Sequence, residues 1–141
     1  VFKQLSPMTK IIGIEPKGAP SMSKSINKNK LITLSGIDGF VDGVAVKKVG
    51  NYSFDYCKEH LDDLIILDEN EICNSILELK SYENIIAEPA GAMSSAALRH
   101  YRHKIINKNI GCIICGGNND NSRIPQIIKR AHIWKSNNPK N

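Results

Sequence analysis

Two cysteines, Cys112 and Cys115, are the first candidates for chemistry, because a Cys-x-x-Cys pair can bind zinc or form a redox disulfide. A structural zinc site needs four ligands, and the sequence offers no second cysteine pair or histidine pair to complete one. The two isoleucines between the cysteines favour an extended strand, in which the thiols point to opposite faces. We therefore interpret both thiols as strand residues, with metal or redox chemistry as the alternative. Cys115 would then lead directly into a turn at Gly116 and Gly117.

Short apolar runs and helical periodicities indicate the elements that must position this turn. The runs with the length of buried strands are 10–16, 61–68 and 109–115. The segments expected to be helical are a short piece within 18–30, 52–60, 72–82, 89–101 and 122–134. Asp68 and Glu71 match a capping box ahead of the second long helix. In the last helix, the residues expected to face inward are Ile124, Ile127, Ile128 and Ala131. The glycine-rich segment 31–51 predicts irregular backbone held close to another part of the protein.

Strands that alternate with helices imply an α/β fold of three layers, with a mostly parallel sheet flanked by helices. We expect one domain over residues 1–135 and a polar tail over 136–141. Ligands of such sheets bind beyond the carboxyl ends of the strands. Those ends are predicted at Glu15-Pro16, at Asp68 and at Cys115. The fold alone therefore predicts where the site lies.

Composition excludes several classes of protein. The chain has 141 residues, of which 41% are hydrophobic and 23% charged, as is typical of one globular domain. The formal net charge is +5, but the basic residues are scattered and aromatic residues make up only 6%, which argues against a nucleic-acid surface. No apolar run approaches the roughly 18 residues of a membrane span. Without a cleavable signal or a disulfide framework, a cytoplasmic protein with reduced thiols is expected.

Four motifs then occur in order: IIGIEPKGAPSM, VDGVAVKKVG, IIAEPAGAMSSAAL and CIICGGNNDNSR. Together, from about residue 1 to residue 130, they resemble threonine dehydratases, which are pyridoxal-phosphate enzymes of fold type II. Serine dehydratases and serine racemases are close relatives. The resemblance implies a cofactor held between two lobes and a small amino-acid substrate that loses its α-proton and then its β-hydroxyl. Threonine would give 2-oxobutanoate, a precursor of isoleucine, together with ammonia.

The resemblance also implies roles for individual residues. Cys115 matches a position, usually Ser or Cys, whose side chain meets the pyridine nitrogen of the cofactor. Gly43 matches the glycine whose backbone packs on the ring, and Glu88 matches an acidic residue near the ring. The residues that match the turn at the floor of the site are Gly116, Gly117 and Asn118.

A divalent-cation site is a further implication of the resemblance. Glu15, Ala19 and Ser21 match a site that some relatives build from a carboxylate, a backbone carbonyl and an acidic side chain. Ser21 stands at the acidic position and is a weaker ligand for a hard cation. The alternative is a strand-end glutamate solvated beside a turn.

Two parts of the family pattern have no match in these residues: the Schiff-base lysine and the glycine run that binds the cofactor phosphate. No catalytic residue is therefore assigned here, and VFKQL is expected to be the end of a helix that begins earlier. We expect the chain to be the carboxyl-terminal part of the catalytic region, with the N-terminal half of the same enzyme and further copies as partners. A serine dehydratase, a serine racemase or a non-catalytic truncated α/β fragment are the alternatives.

Overall fold

A computed structural model describes residues 1–139, which form six α-helices, two β-strands and two short 3₁₀ turns. The strands are β1 (Ile12–Pro16) and β2 (Asp63–Leu67). The helices are α1 (Phe2–Leu5), α2 (Ser21–Asn27), α3 (Asn51–His60), α4 (Glu69–Glu83), α5 (Pro89–Tyr101) and α6 (Ile124–Asn137). The 3₁₀ turns are Asp42–Val44 and Asn121–Arg123. The alternation of strands and helices confirms the predicted α/β class.

The two strands form a parallel pair, as the sequence predicts for 10–16 and 61–68. Ile12 lies opposite Asp63, and the register continues to Pro16 opposite Leu67. The backbone N–H of Lys17 extends the pairing by donating to the carbonyl of Leu67 at 2.8 Å. Both strands therefore end at the same edge of the sheet, where ligands of α/β proteins bind.

Helices α4, α5 and α6 pack into one hydrophobic core with β2. The most deeply buried core residues are Leu67, Ile72, Cys73, Ala87, Ala92, Ala96 and Ala131. Alanines along α5 leave room for neighbouring helices to approach closely, which explains its run of small residues. The glycine-rich segment 31–51 is irregular as predicted, apart from the turn Asp42–Val44 and its last residue, Asn51, which begins α3. None of the helices formed by residues 1–139 has the length and apolar character needed to cross a membrane.

The third predicted strand, 109–115, is wrong. The segment is extended but pairs with neither β1 nor β2, and the described residues contain no other strand. Its apolar side chains are also exposed, with Ile113 at 76% and Ile110 at 47% of their accessible surface. An apolar run becomes a strand only where a neighbouring strand meets its backbone hydrogen bonds. Here the segment lies along α5 instead.

The capping-box prediction is half correct. Asp68 caps α4 as expected, because its Oδ1 accepts a hydrogen bond from the backbone N–H of Asn70 at 2.9 Å. Glu71 does not reach back to complete the box, since its carboxylate lies 3.0 Å from Nε2 of His100 on α5. A long-range partner thus replaces the local one, and it ties α4 to α5.

The last helix also differs from its prediction. Ile127 and Ala131 face inward, but Ile124 and Ile128 are 43% and 40% exposed. The inward face continues instead to Trp134, seven residues beyond Ile127 and so on the same side of the helix. α6 continues through Asn137, two residues into the expected tail, of which residues 140–141 lie outside the described part of the chain.

Candidate functional site

The extended segment 109–117 is fixed by hydrogen bonds to α5. Ser94 Oγ donates to the carbonyl of Ile113 at 2.7 Å, and Cys112 Sγ donates to the carbonyl of Ser94 at 3.6 Å. At the start of the helix, the backbone N–H of Glu88 donates to the carbonyl of Gly116 at 3.1 Å. These contacts place the turn that follows Cys115 directly against the N-terminus of α5.

Gly91 permits this close approach, and the sequence analysis did not single it out. A Cβ atom added at Gly91 would lie 2.2 Å from the carbonyl oxygen of Cys115 and 2.7 Å from that of Gly116, far inside van der Waals contact. The signal in the sequence was the run of small residues in α5, which indicates close packing but does not say where. Gly91 is therefore a site residue that shapes the turn without facing the open surface.

Glu88 lies between two of the predicted cofactor glycines. A Cβ atom added at Gly116 would lie 2.4 Å from Glu88 Cδ, and one added at Gly43 would lie 3.3 Å from Glu88 Oε1. Glu88 is the N-cap residue of α5, yet its side chain makes no capping hydrogen bond. The carboxylate has no hydrogen-bond or ion-pair partner anywhere in residues 1–139. A half-buried carboxylate without a partner is costly, so it is a group available to a ligand.

Gly43 requires glycine for a reason that is independent of any cofactor. A Cβ atom added there would lie 2.9 Å from the Cβ of Ala90 on α5, so the collision is with the protein itself. Gly43 is exposed in the turn Asp42–Val44, and its N–H donates to Asp42 Oδ1 at 3.1 Å. The bare backbone of Gly43 thus lies beside Glu88 on an open surface.

The turn after Cys115 gives its members different roles. Cys115 is an exposed free thiol with no hydrogen-bond partner in the described residues. Gly116 has a φ of +80°, a conformation that favours glycine, and a Cβ atom at Gly117 would lie 2.8 Å from the carbonyl of Ile86. Asn118 is exposed.

Asn119, which the sequence analysis missed, anchors this turn. Its Nδ2 donates to the carbonyl of Ala87 at 2.5 Å, and its Oδ1 is buried with no partner in the described residues. No sequence pattern distinguishes Asn119 from Asn118, because both are asparagines in the same polar turn. The structure therefore brings together Gly43, Glu88, Cys115 and Gly116, with Asn119 holding the turn in place.

The residues expected to hold a divalent cation form a helix cap instead. The backbone N–H groups of Met22 and Ser23, in the first turn of α2, donate to the two carboxylate oxygens of Glu15 at 2.7 Å each. Burial raises the pKa of Glu15, and these two hydrogen bonds oppose the shift. The Ala19 carbonyl accepts from the N–H of Ser21 at 3.0 Å, and the Ser21 hydroxyl is buried without a partner.

This donor set does not fit a hard divalent cation. Calcium and magnesium sites draw on several oxygen ligands and usually on more than one carboxylate, whereas here the single carboxylate already accepts two amide protons. Nowhere in residues 1–139 do three or more His, Cys, Asp or Glu side chains cluster in a way that could hold a metal ion.

Comparison with known proteins identifies the family. Residues 1–116 match the family described as "Pyridoxal-phosphate dependent enzyme". The chain is 46% identical over 135 residues to the biosynthetic L-threonine dehydratase IlvA of Staphylococcus aureus, an alignment that covers 95% of the chain and 32% of the relative. The chain thus spans about a third of the length of the curated relatives that it matches.

Solved structures agree with this result. The processed form of threonine deaminase isoform 2 from Solanum lycopersicum superimposes with a TM-score of 0.89 at 38% identity, over 94% of this chain and 37% of that one. Maize serine racemase superimposes with a TM-score of 0.78 at 26% identity, over 91% of this chain and 42% of that one. These neighbours confirm the predicted type II fold, and the chain belongs to the family of pyridoxal-phosphate-dependent enzymes.

Proposed function

We propose that these residues form one wall of the cofactor site of an L-threonine dehydratase, which converts L-threonine to 2-oxobutanoate and ammonia. The observation that carries the proposal is the carboxylate of Glu88, which has no partner in the described residues and lies between the backbones of Gly43 and Gly116. The 46% identity to a biosynthetic threonine dehydratase supports the choice of reaction.

The open face fits a flat aromatic cofactor. Gly43 and Gly116 are exposed, and Ala90 and Glu88 fill only the side on which a side chain would stand, so a planar ring can lie against the backbone faces that stay open. Cys115 adds an exposed thiol and Glu88 adds a carboxylate, and neither is used by the described protein. A surface with two bare backbones and two uncommitted polar groups suits a heteroaromatic ring with polar substituents.

When bound, pyridoxal phosphate supplies the electron sink that makes the α-proton of the amino acid acidic. The residues of this chain would orient the ring. The Cys115 thiol would offer the pyridine nitrogen a weak hydrogen bond and, unlike a carboxylate, would not keep that nitrogen protonated. The carboxylate of Glu88 would accept hydrogen bonds from ligand groups that lie over Gly43 and Gly116.

The remaining parts of the site come from outside these residues. We propose that another segment of the same enzyme supplies the lysine that tethers the cofactor and the glycine loop that binds its phosphate. Lys47 and Lys48 are exposed, and Lys3 is paired with Asp62 at 2.5 Å, which supports a surface role for these three lysines and not the role of the tethering lysine. We also propose that the complete enzyme forms homo-oligomers and acts in the cytoplasm.

The decisive experiment compares the 141-residue chain with the complete enzyme. Each is mixed with pyridoxal phosphate, and the cofactor absorbance band and keto-acid release from L-threonine are recorded. The proposal expects both signals from the complete enzyme and neither from the isolated chain. Turnover by the isolated chain would contradict the assignment of the lysine to another segment.

Serine is the second candidate substrate, because maize serine racemase shares this fold. Turnover of L-threonine, L-serine and D-serine by the complete enzyme distinguishes the candidates. We expect the highest kcat/KM for L-threonine. Faster turnover of either serine enantiomer would replace the proposed substrate and leave the cofactor site unchanged.

A further inference from the structure

The irregular loop that carries Gly43 is held by two arginines. Phe40, three residues before Gly43, is a buried ring with 6% of its surface exposed. The guanidinium carbon of Arg130 lies 4.3 Å from the centroid of this ring, and that of Arg123 lies 4.9 Å from it. Arg130 also approaches Asp38 at 3.8 Å. The loop has little regular secondary structure, so these contacts with Arg123 and Arg130 help to fix its position.

Arg123 reaches closer to Gly43 than Arg130 does. Its Nη2 donates to the backbone carbonyl of Phe40, and its Nη1 lies 3.7 Å from Asp42 Oδ1. The same oxygen of Asp42 accepts the N–H of Gly43 at 3.1 Å. One guanidinium therefore contacts the main chain before Gly43 and the carboxylate that orients its amide, a task suited to the planar, multiply donating fork of arginine.

The main chain of Arg123 belongs to the segment that follows the turn after Cys115. Arg123 ends the 3₁₀ turn that follows the turn 115–119, and its N–H donates to the carbonyl of Asp120 at 2.9 Å. Asp120 caps the 3₁₀ turn by accepting from the N–H of Ser122 at 2.9 Å. Asn119, next to Asp120, is bound to the carbonyl of Ala87, one residue before Glu88. The main chain of Arg123 is therefore fixed to the turn that contains Cys115 and Gly116.

We propose that Arg123 is a positioning residue that sets the distance between the loop of Gly43 and the turn after Cys115, the two parts of this chain that form its wall of the cofactor site. It acts on the cofactor through the loop of Gly43 and touches neither cofactor nor substrate. The proposal rests on the proposed function only in its cofactor readout, because the coupling of loop to turn is a property of this chain.

The test uses the complete enzyme with three variants. Arg123→Met keeps an unbranched chain against Phe40 but removes every side-chain hydrogen bond and the charge. Arg123→Lys keeps the charge near Asp42 but loses the planar fork. The matched control is Arg99→Met, since Arg99 also stacks on an aromatic ring, that of Trp134 at 4.9 Å, and pairs with a carboxylate, that of Glu78.

Two measurements separate positioning from general stability: hydrogen exchange of residues 38–44 in the apoenzyme, and the Kd for pyridoxal phosphate. For Arg123→Met we expect about tenfold faster exchange in 38–44 and about tenfold weaker cofactor binding, the loss of one hydrogen bond to a charged group. For Arg123→Lys, the exchange rate and the Kd should both lie between those of Arg123→Met and those of the wild type. Arg99→Met should lower the thermal midpoint while leaving both values unchanged.

The proposal is overturned if Arg123→Met leaves both values within about twofold of the wild type, or if Arg99→Met changes them equally. If Arg123→Met does not fold, the same two measurements on Arg123→Lys decide. A wild-type enzyme that binds the cofactor but does not convert threonine would refute the proposed reaction and leave this test intact. If the wild type does not bind the cofactor, the exchange of 38–44 alone decides.

Discussion

The carboxylate of Glu88 occupies the space where a side chain on Gly116 would begin, since a Cβ atom on Gly116 would lie 2.4 Å from Glu88 Cδ. The backbone N–H of Glu88 also donates to the carbonyl of Gly116 at 3.1 Å. The contact joins the start of α5 to the turn after Cys115, which is distant from it in the sequence. It gives the site a fixed centre, from which the effects of substitutions can be predicted.

Gly116→Ala should destabilise the protein by about 1–3 kcal/mol, because alanine is strained at φ +80° and its Cβ overlaps Glu88. Denaturant unfolding measures the effect. Gly111→Ala is the matched control, since Gly111 lies in the same segment and an added Cβ has no neighbour within 4 Å. Repeating Gly116→Ala in a Glu88→Ala background should remove the overlap but keep the strain. Equal effects of Gly116→Ala and Gly111→Ala would contradict the contact.

Gly91→Ala should displace the turn after Cys115, because its Cβ would lie 2.2 Å from the Cys115 carbonyl, which is backbone and cannot rotate away. In an open helix this substitution would stabilise by roughly 1 kcal/mol, since alanine is the better helix former. We expect instead a net loss of about 1–3 kcal/mol, the usual cost of overpacking. Thermal unfolding checks the sign, with Gly39→Ala as the control that has open space. A stabilised Gly91→Ala protein would show that the turn tolerates displacement.

Sequence patterns were reliable where the partner of a residue is near in the chain. The parallel strands, the start of α5 at Pro89 and the Asp68 cap all follow from local composition, and all are confirmed. Sequence patterns led to wrong predictions where the partner of a residue is distant in the chain. Glu71 has a local acceptor role in the capping pattern, but His100 on another helix takes its carboxylate instead.

The candidate site also depends on contacts between residues that are distant in the chain. Its residues were identified through a resemblance, but the reason for each could not be read from the sequence. The absence of a side chain at Gly43 leaves room for Ala90, and its absence at Gly91 leaves room for the carbonyl of Cys115. Both close approaches are between different elements of the fold. Segment 109–115 has the composition of a strand, but composition does not say whether a neighbouring strand is present to pair with it.

Asp62 predicts a pH dependence of stability. Its Oδ2 accepts from Lys3 Nζ at 2.5 Å and from the N–H of Ile11 at 2.7 Å, and the hydrogen bond from Lys3 above all holds the pKa of Asp62 below its usual range. A lowered folded-state pKa stabilises the protein above the unfolded value of about 3.9. This contribution is lost as the pH falls through the folded value.

Asp62→Asn should therefore lower the thermal midpoint at pH 7, and the difference from wild type should shrink as the pH falls below about 4. Melting curves from pH 7 to pH 3 measure it. Asp55→Asn, at an exposed position on α3, is the control and should show no such convergence. A difference that stays constant with pH would mean that the Lys3 pair does not stabilise the fold.

Divalent cations should leave the stability unchanged. A ligand that binds only the folded state raises the unfolding midpoint in proportion to its affinity and concentration, and the capped carboxylate of Glu15 offers no such site. The midpoint should be the same in Mg²⁺, in Ca²⁺ and in a chelator. Ser21→Asp is the comparison, because it supplies a second carboxylate and should allow a divalent cation to raise the unfolding midpoint. A rise in the wild-type midpoint with either cation would refute the helix-cap interpretation of Glu15.

The four thiols should react in an order set by their surroundings, and the cofactor should change the rate of only one. Cys115 is exposed, whereas Cys73 is buried in α4, where burial raises its pKa to about 12 and keeps it unreactive. Burial also raises the pKa of Cys57 and Cys112. Alkylation of the complete apoenzyme, followed by mass spectrometry, should modify Cys115 first.

Pyridoxal phosphate at about ten times its Kd should slow the alkylation of Cys115 by about tenfold, because only the free fraction of sites reacts. Cys57 on α3 serves as the internal control, and its rate should not change. Protection of Cys115 alone would place the thiol under the cofactor, whereas equal protection of both thiols would indicate a general tightening of the fold. An unprotected Cys115 in a cofactor-loaded enzyme would remove it from the proposed site.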